Sequence, residues 1–103
     1  MKHFLIRYQF TTGTQDEWHQ AIKRFIAALN ADPAIKDKIS YRCMKRRDGL
    51  DYYHIAAAAD DQAITALQSR AFFPGYTEET KRVAGGQVEV LPLEIIAETD
   101  FRA

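Results

Sequence analysis

The hydrophobic period of this chain changes from two to about 3.6 residues within its first third, and that change constrains the fold most. Bulky apolar side chains alternate over Phe4–Phe10, which is typical of a half-buried strand. Over Trp18–Leu29 they recur at spacings of three and four, which predicts an amphipathic helix. Thr14 and Glu17 have the capping-box spacing that begins such a helix, and Asn30–Pro33 ends it. A strand followed directly by a helix indicates a sheet covered by helices.

Two strands and a tight turn are predicted next. Ile39–Arg46 alternates, Arg47–Gly49 is a hairpin signal, and Tyr52–Ala59 is the returning strand. The alanine run Ala56–Ala59 has helical propensity, but the preceding hairpin favours a strand. Such small side chains either leave space above the sheet or admit a closely packed helix.

The last part of the chain alternates again between helix and strand. We expect a second helix from Asp60 or Asp61, a further helical piece over Thr77–Ala84 and a last strand over Gln87–Ala97. Pro74–Gly75 is expected to interrupt the helical region, and Gly85–Gly86 to end it. Pro92 lies inside the last strand and therefore indicates a sheet edge or a bulge.

The order strand, helix, strand, strand, helix, strand predicts an α+β fold of the ferredoxin-like βαββαβ kind over one domain, residues 1–103. Its four strands form an antiparallel sheet with both helices on one face. Leu5, Leu91 and Leu93 would leave the other face apolar as well. Homodimerisation through the sheet faces is the natural way to cover such a surface.

Charge and cysteine content exclude several classes of protein. Fourteen basic residues balance fourteen acidic ones, so neither a nucleic-acid partner nor a membrane partner is expected. The single cysteine, Cys43, excludes an intrachain disulfide and suits the reducing cytoplasm. No apolar stretch reaches the roughly 20 residues of a membrane span, and no signal-peptide pattern opens the chain. We therefore expect a cytoplasmic protein.

Two segments give the chain a family resemblance. These are Gly13–Trp18 after the first strand and Leu67–Phe72, which is similar to a Leu-x-Ser-x-x-Phe segment. With them, nearly the whole chain resembles small single-domain members of the dimeric α/β-barrel superfamily related to antibiotic-biosynthesis monooxygenases. The resemblance implies dimerisation into an α/β barrel and a ligand cavity between sheet and helices. That superfamily includes cofactor-free monooxygenases, haem-degrading enzymes, isomerases, cyclases and members without known activity.

The resemblance also argues against haem degradation. Enzymes of that branch use an Asn on the first strand and a Trp and a His on the second helix. The corresponding positions here are Ile6, Ala66 and Tyr76, so all three residues are replaced. The histidine that many monooxygenase-like members carry early in the second helix is also missing between Asp60 and Ala84.

An aromatic cavity is the candidate site. If the even-numbered residues of the first strand face the helices, the expected substrate-binding walls are Ile6, Tyr8, Trp18, Phe25 and Phe72. Such a cavity suits a small, planar, hydrophobic or aromatic ligand. The alternative is that these side chains only fill the core.

Tyr76 and His54 are the candidate catalytic residues, since each can handle a proton beside a bound phenol. The alternative for His54 is a histidine at the barrel interface with its hydrogen bonds satisfied. The three histidines lack metal-ligand spacing, so no metal and no cofactor are expected. Cys43 is interpreted as a buried, unreactive thiol, and Lys45–Arg47 as a solvated basic turn.

These features favour a cofactor-independent monooxygenase acting on a small aromatic or quinol-like substrate. Two alternatives stay open at this point. One is a non-catalytic dimer that binds a small ligand or serves in a stress response. The other is an isomerase or cyclase that uses the same pocket without oxygen.

Overall fold

The computed structural model describes residues 1–100 of the chain. The elements are four strands and three helices: β1 (Lys2–Gln9), α1 (Gln15–Ala31), β2 (Ile39–Lys45), β3 (Asp51–Ala58), α2 (Asp61–Gln68), α3 (Phe72–Val83) and β4 (Glu89–Leu93). This order confirms the predicted ferredoxin-like α+β fold, with the second helix of the motif divided into α2 and α3. Within residues 1–100, no helix combines the length and the apolar character needed to cross a bilayer.

The four strands form one antiparallel sheet in the order β2-β3-β1-β4. Ile6 of β1 stands opposite His54 of β3 and Val90 of β4, and His54 stands opposite Cys43 of β2. Because directly opposed residues point to the same side of a sheet, this row faces the helices. The odd-numbered residues of β1 therefore form the outer face, which carries no helix.

The first helix begins and ends as its sequence signals predict. Thr14 is its N-cap, and the Glu17 amide donates a hydrogen bond to Thr14 Oγ1 at 3.3 Å. Trp18, Ile22, Phe25 and Leu29 are buried along one stripe of the helix. This stripe presses the helix onto the inner face of the sheet.

Two boundary predictions are wrong. Pro74–Gly75 does not interrupt the helical region, since α3 already begins at Phe72. Proline is tolerated in the first turn of a helix, where its missing N–H would have no intrahelical partner. The last strand is also shorter than predicted, because β4 ends at Leu93 instead of extending to Ala97. Pro92 does lie on an edge strand, as expected of a residue that cannot donate to a sheet.

An ion pair joins the end of α1 to the junction between α2 and α3. Arg70 donates through Nε to Asp32 Oδ2 and through Nη2 to Asp32 Oδ1, the second bond measuring 3.3 Å. The Asp32 side chain is 14% exposed and that of Arg70 is 32% exposed. The hydrogen bonds from Arg70 hold the pKa of Asp32 below its usual range. The pair therefore stabilises the fold only while Asp32 is ionised.

Arg70→Met should lower the melting temperature at neutral pH and have little effect in strong acid. A depressed carboxyl pKa contributes stability above the unfolded-state value near 4, and that stability is lost as the pH falls through the folded-state value. Thermal unfolding of both proteins between pH 2.5 and 7 measures the gap, with the exposed Arg24→Met as the matched control. A gap that stayed constant down to pH 2.5 would contradict the assignment.

Candidate active site

A cavity of about 470 Å³ lies between the inner face of the sheet and the helices α2 and α3. Its floor comes from all four strands and its roof mainly from α2 and α3. The lining residues are Phe4, Ile6, Phe25, Ile39, Tyr41, Ala56, Ala57, Ala58, Ile64, Leu67, Gln68, Phe73, Tyr76, Thr77, Thr80, Lys81, Val88 and Val90. This volume is within the usual range for sites that enclose small molecules.

The cavity lies where the inner face of the sheet carries small side chains, whereas large side chains fill the space at the other end of the sheet. Ala56 and Ala58 face the helices, where the shortest side chains leave open volume above β3. At the opposite end Tyr8 and Tyr52 stack with 5.3 Å between their ring centroids and fill the space. The alanine run therefore leaves space above the sheet, which is one of the two outcomes predicted from its sequence.

Two phenols lie in the mainly apolar wall, which also carries the polar side chains of Gln68, Thr77, Thr80 and Lys81. Tyr41 of β2 and Tyr76 of α3 line the cavity, and their hydroxyl oxygens lie 3.0 Å apart. The Tyr76 ring stacks on Phe25 with a centroid separation of 3.8 Å. Because this stacking fixes the ring, the hydroxyl of Tyr76 is held at a defined place beside the cavity.

His54 lies behind these phenols, wholly buried and bonded through both ring nitrogens. Its Nδ1 is 2.5 Å from Tyr41 Oη and 3.4 Å from Tyr76 Oη. Its Nε2 is 2.7 Å from Tyr8 Oη, which also accepts a hydrogen bond from Trp18 Nε1–H at 2.8 Å. A single hydrogen-bonded chain therefore runs from Trp18 through His54 to the cavity wall.

The electrostatics of this chain follow from burial. Removal from water lowers the pKa of His54 to about 4, so the imidazole is neutral at physiological pH. The same desolvation raises the pKa of Tyr8, Tyr41 and Tyr76 well above that of a free phenol. The site thus combines a neutral imidazole with protonated phenols, which act through hydrogen bonds instead of through fixed charge.

The structure brings together only part of the site expected from the sequence. Ile6, Phe25 and Tyr76 line the cavity. Tyr8 and Trp18 do not: they lie in the core cluster beside it, where Trp18 donates its hydrogen bond to Tyr8. Phe72 also lies outside the lining and instead packs edge-on against Phe25.

His54 faces the helices, not the outer sheet surface. Its hydrogen bonds are satisfied, as the structural alternative supposed, but its place is under the helices and not at a barrel interface. Tyr41 was not among the candidate residues, although the period-two alternation of β2 places it on the same face as Ile39 and Cys43. The sequence carries no signal for this contact, because Tyr41 and Tyr76 are 35 residues apart in the chain and meet only in the folded structure.

Other candidates have structural explanations. Lys45 donates from Nζ to the carbonyl oxygens of Arg46, Arg47 and Gly49. Its ammonium group therefore stabilises the turn between β2 and β3. Burial raises the pKa of the Cys43 thiol to about 11, which leaves it protonated and weakly nucleophilic. Among residues 1–100, no group of three or more His, Cys, Asp or Glu residues is arranged to hold a metal ion.

The chain has the fold of the antibiotic biosynthesis monooxygenases, as comparison with solved structures shows. One such monooxygenase superposes with a TM-score of 0.76 at 9% sequence identity, over 94% of this chain and 100% of the other. No protein-family model and no curated protein matches the sequence, and the similarity is one of fold alone.

Two further solved structures share this fold. SnoaB, a cofactor-independent oxygenase from Streptomyces nogalater, superposes with a TM-score of 0.77 at 16% identity, covering 97% of each chain. Rv0793 from Mycobacterium tuberculosis gives a TM-score of 0.75 at 14% identity, over 96% of this chain and 98% of the other. At such low identities a common fold does not transfer an activity, which has to be argued from the site.

Proposed function

We propose that this protein is a cofactor-independent monooxygenase that oxidises a small aromatic, quinol-like substrate in the cavity beside Tyr76. One observation carries the proposal: an apolar cavity has its Tyr41 and Tyr76 phenols connected to the buried imidazole of His54. Such a cavity binds a flat hydrophobic ring and orients it through one oxygen atom. The fold shared with a cofactor-independent oxygenase supports the same reaction class.

The substrate supplies the electrons in this proposal. A 1,4-dihydroxyarene reacts with one molecule of oxygen, one oxygen atom enters the ring as a hydroxyl group, and the other leaves as water. The two hydrogen atoms in that water come from the substrate, whose ring is oxidised to a hydroxyquinone. The protein contributes a dry cavity, a fixed ring orientation and proton-handling groups, for which we propose Tyr76 at the substrate oxygen and His54 behind it.

Oxygen consumption with 1,4-dihydroxynaphthalene tests the proposed function. We expect uptake well above the uncatalysed rate and one atom of labelled oxygen in the 2-hydroxy-1,4-naphthoquinone formed. Heat-denatured protein gives the background rate. Uptake no faster than background across a panel of mono-, bi- and tricyclic quinols would overturn the proposal. Binding without turnover would instead support the non-catalytic module, and product formed under nitrogen would support an isomerase or cyclase.

We propose further that two copies pair through their outer sheet faces. Ile55, Met44 and Leu93 are 41%, 42% and 47% exposed, and all three are on the face without helices. Leu5 lies between Ile55 and Leu91 in the same row across the sheet. An apolar surface of this kind favours association, and a second copy presents the identical, self-complementary face.

A cytoplasmic location stays a prediction from the single thiol.

Ile55→Arg should convert the dimer to a monomer at micromolar concentration. The substitution places a charge in the proposed apolar interface, beside the existing positive charge of Arg42, which stands opposite Ile55 on the same sheet face. Sedimentation equilibrium measures the mass of both proteins. Leu50→Arg is the matched control, because Leu50 is 45% exposed but lies in the turn between β2 and β3. A wild-type protein that sediments as a monomer would refute the pairing.

A further inference from the structure

The indole N–H of Trp18 determines which groups donate and which accept in the hydrogen bonds around His54. Trp18 Nε1 can only donate, and it donates to Tyr8 Oη. The hydroxyl hydrogen of Tyr8 then needs an acceptor, and His54 Nε2 lies 2.7 Å from this oxygen. In residues 1–100 these two groups are the only hydrogen-bond partners of the Tyr8 hydroxyl. His54 Nε2 must therefore accept.

A neutral imidazole that accepts at Nε2 carries its hydrogen on Nδ1. Nδ1–H then donates to Tyr41 Oη, and the 3.0 Å hydrogen bond between Tyr41 Oη and Tyr76 Oη uses one of the two hydroxyl hydrogens of this pair. Among residues 1–100 the pair reaches no other acceptor, because His54 Nδ1 carries its own hydrogen. One hydroxyl hydrogen of the Tyr41–Tyr76 pair is consequently left for the cavity, which both residues line.

The opposite tautomer leaves a buried donor without an acceptor. If His54 carried its hydrogen on Nε2, Tyr8 Oη would accept both from His54 and from Trp18. The Tyr8 hydroxyl hydrogen would then point at no acceptor in a side chain that is only 6% exposed. Buried unsatisfied donors are disfavoured, whereas Tyr76 borders a cavity in which a ligand can accept.

We propose that His54 is a positioning residue which fixes the direction of this chain, so that the Tyr41–Tyr76 pair donates one hydroxyl hydrogen to an acceptor oxygen of the ligand. The cavity then selects flat aromatic molecules that carry a carbonyl or phenolate oxygen over the corresponding hydrocarbons. This inference rests on the proposed function only in taking the cavity as the ligand site. It adds the polarity of the contact and the chemical class of the oxygen recognised.

The two bicyclic probes 1-tetralone and tetralin test this polarity, because they share a skeleton and differ by one carbonyl group. We expect the carbonyl stretch of bound 1-tetralone to shift to lower frequency in the wild type. The shift should be absent in the double variant Tyr41→Phe/Tyr76→Phe, and the affinity of that variant for 1-tetralone should fall about tenfold. Its affinity for tetralin should change by less than about twofold, since the rings of residues 41 and 76 are retained. Tyr53→Phe, on the outer face, should leave all three values unchanged.

The tautomer of His54 is a second readout that needs no substitution at the buried site. Long-range proton–nitrogen correlation spectra distinguish a protonated from an unprotonated ring nitrogen. We expect Nδ1 to be protonated and Nε2 unprotonated at pH 7. The reverse tautomer, an unshifted tetralone carbonyl, or failure of both probes to bind would overturn the inference.

Failure of this inference and failure of the proposed function give different results, because neither probe is a quinol. A shifted carbonyl together with no oxygen uptake on quinols would support the inference and overturn the monooxygenase proposal alone. Oxygen uptake together with an unshifted carbonyl would support the monooxygenase and overturn the inference alone.

Discussion

Tyr76→Phe is expected to lower kcat for quinol oxidation by about a hundredfold and to leave KM within a few-fold of the wild-type value. The substitution removes one hydroxyl group and retains the ring that stacks on Phe25. Substrate binding depends mainly on the apolar walls, so ground-state affinity is largely preserved. The lost interaction is the hydrogen bond to the substrate oxygen, which strengthens as negative charge develops there.

Steady-state oxygen uptake measures both constants, and Tyr53→Phe is the matched control. Tyr53 is also a phenol of the sheet, but it lies on the outer face and does not line the cavity. Equal kcat values for wild type and Tyr76→Phe would remove Tyr76 from the chemistry. A rise in KM with unchanged kcat would show that the hydroxyl serves binding alone.

The second large effect concerns stability in mild acid. Wild-type protein should lose about 3 kcal/mol of its free energy of unfolding as the pH falls from 6.5 to 4. Burial lowers the pKa of His54 from 6.5 to about 4 in the folded protein. Within that window the unfolded chain binds a proton at this imidazole and the folded chain does not, so acid favours unfolding. About one unit above pH 6.5 the imidazole is neutral in both states, and the stability no longer depends on this group.

The groups that face His54 offer no charge to offset this effect. They are Tyr8 on β1, Tyr41 and Cys43 on β2, and Tyr76 on α3, and all are neutral across the window. The carboxyl groups with depressed pKa values, Asp32 and Glu79, begin to lose their stabilising contribution near their unfolded-state pKa values of about 4 and 4.5, so they add to the slope at the acid end of this window. The slope between pH 6.5 and 5 is therefore assigned to His54.

Urea denaturation at several pH values between 4 and 7.5 measures the slope. His54→Gln should flatten it, while His3→Gln, at the start of β1, should leave it in place. If the His54 variant does not fold, the wild-type slope alone decides. A wild-type free energy of unfolding that stays constant from pH 6.5 to 4 would contradict a buried, neutral His54.

The elements of the fold could be predicted from the sequence because each has a local signal. Alternation marks β1, the Thr14 cap and the apolar stripe mark α1, and the turn at Asp48–Gly49 marks the hairpin. The errors occurred where local signals conflict. Pro74 is a helix breaker in most positions but not in the first turn of α3, and that position depends on where the helix begins.

The site could be predicted less completely, because it depends on distances between elements. The sequence singled out Tyr76 and His54, and the structure places Tyr76 Oη 3.4 Å from His54 Nδ1. It did not identify Tyr41 as the residue between them, since strand and helix residues 35 positions apart meet only after packing. Trp18 and Tyr8 are aromatic residues on the correct faces, but whether such residues fill a core or line a cavity is decided by neighbouring side-chain volumes.

A crystal structure of the protein soaked anaerobically with 1,4-dihydroxynaphthalene tests the central claim most directly. We predict one ring system in the cavity above Ala56 and Ala58, with an oxygen atom within hydrogen-bond distance of Tyr76 Oη. Exclusion of oxygen keeps the quinol intact, so the bound species is the proposed substrate. A cavity that stays empty at saturating quinol, or a quinol bound with both oxygen atoms away from Tyr76 and Tyr41, would contradict the claim.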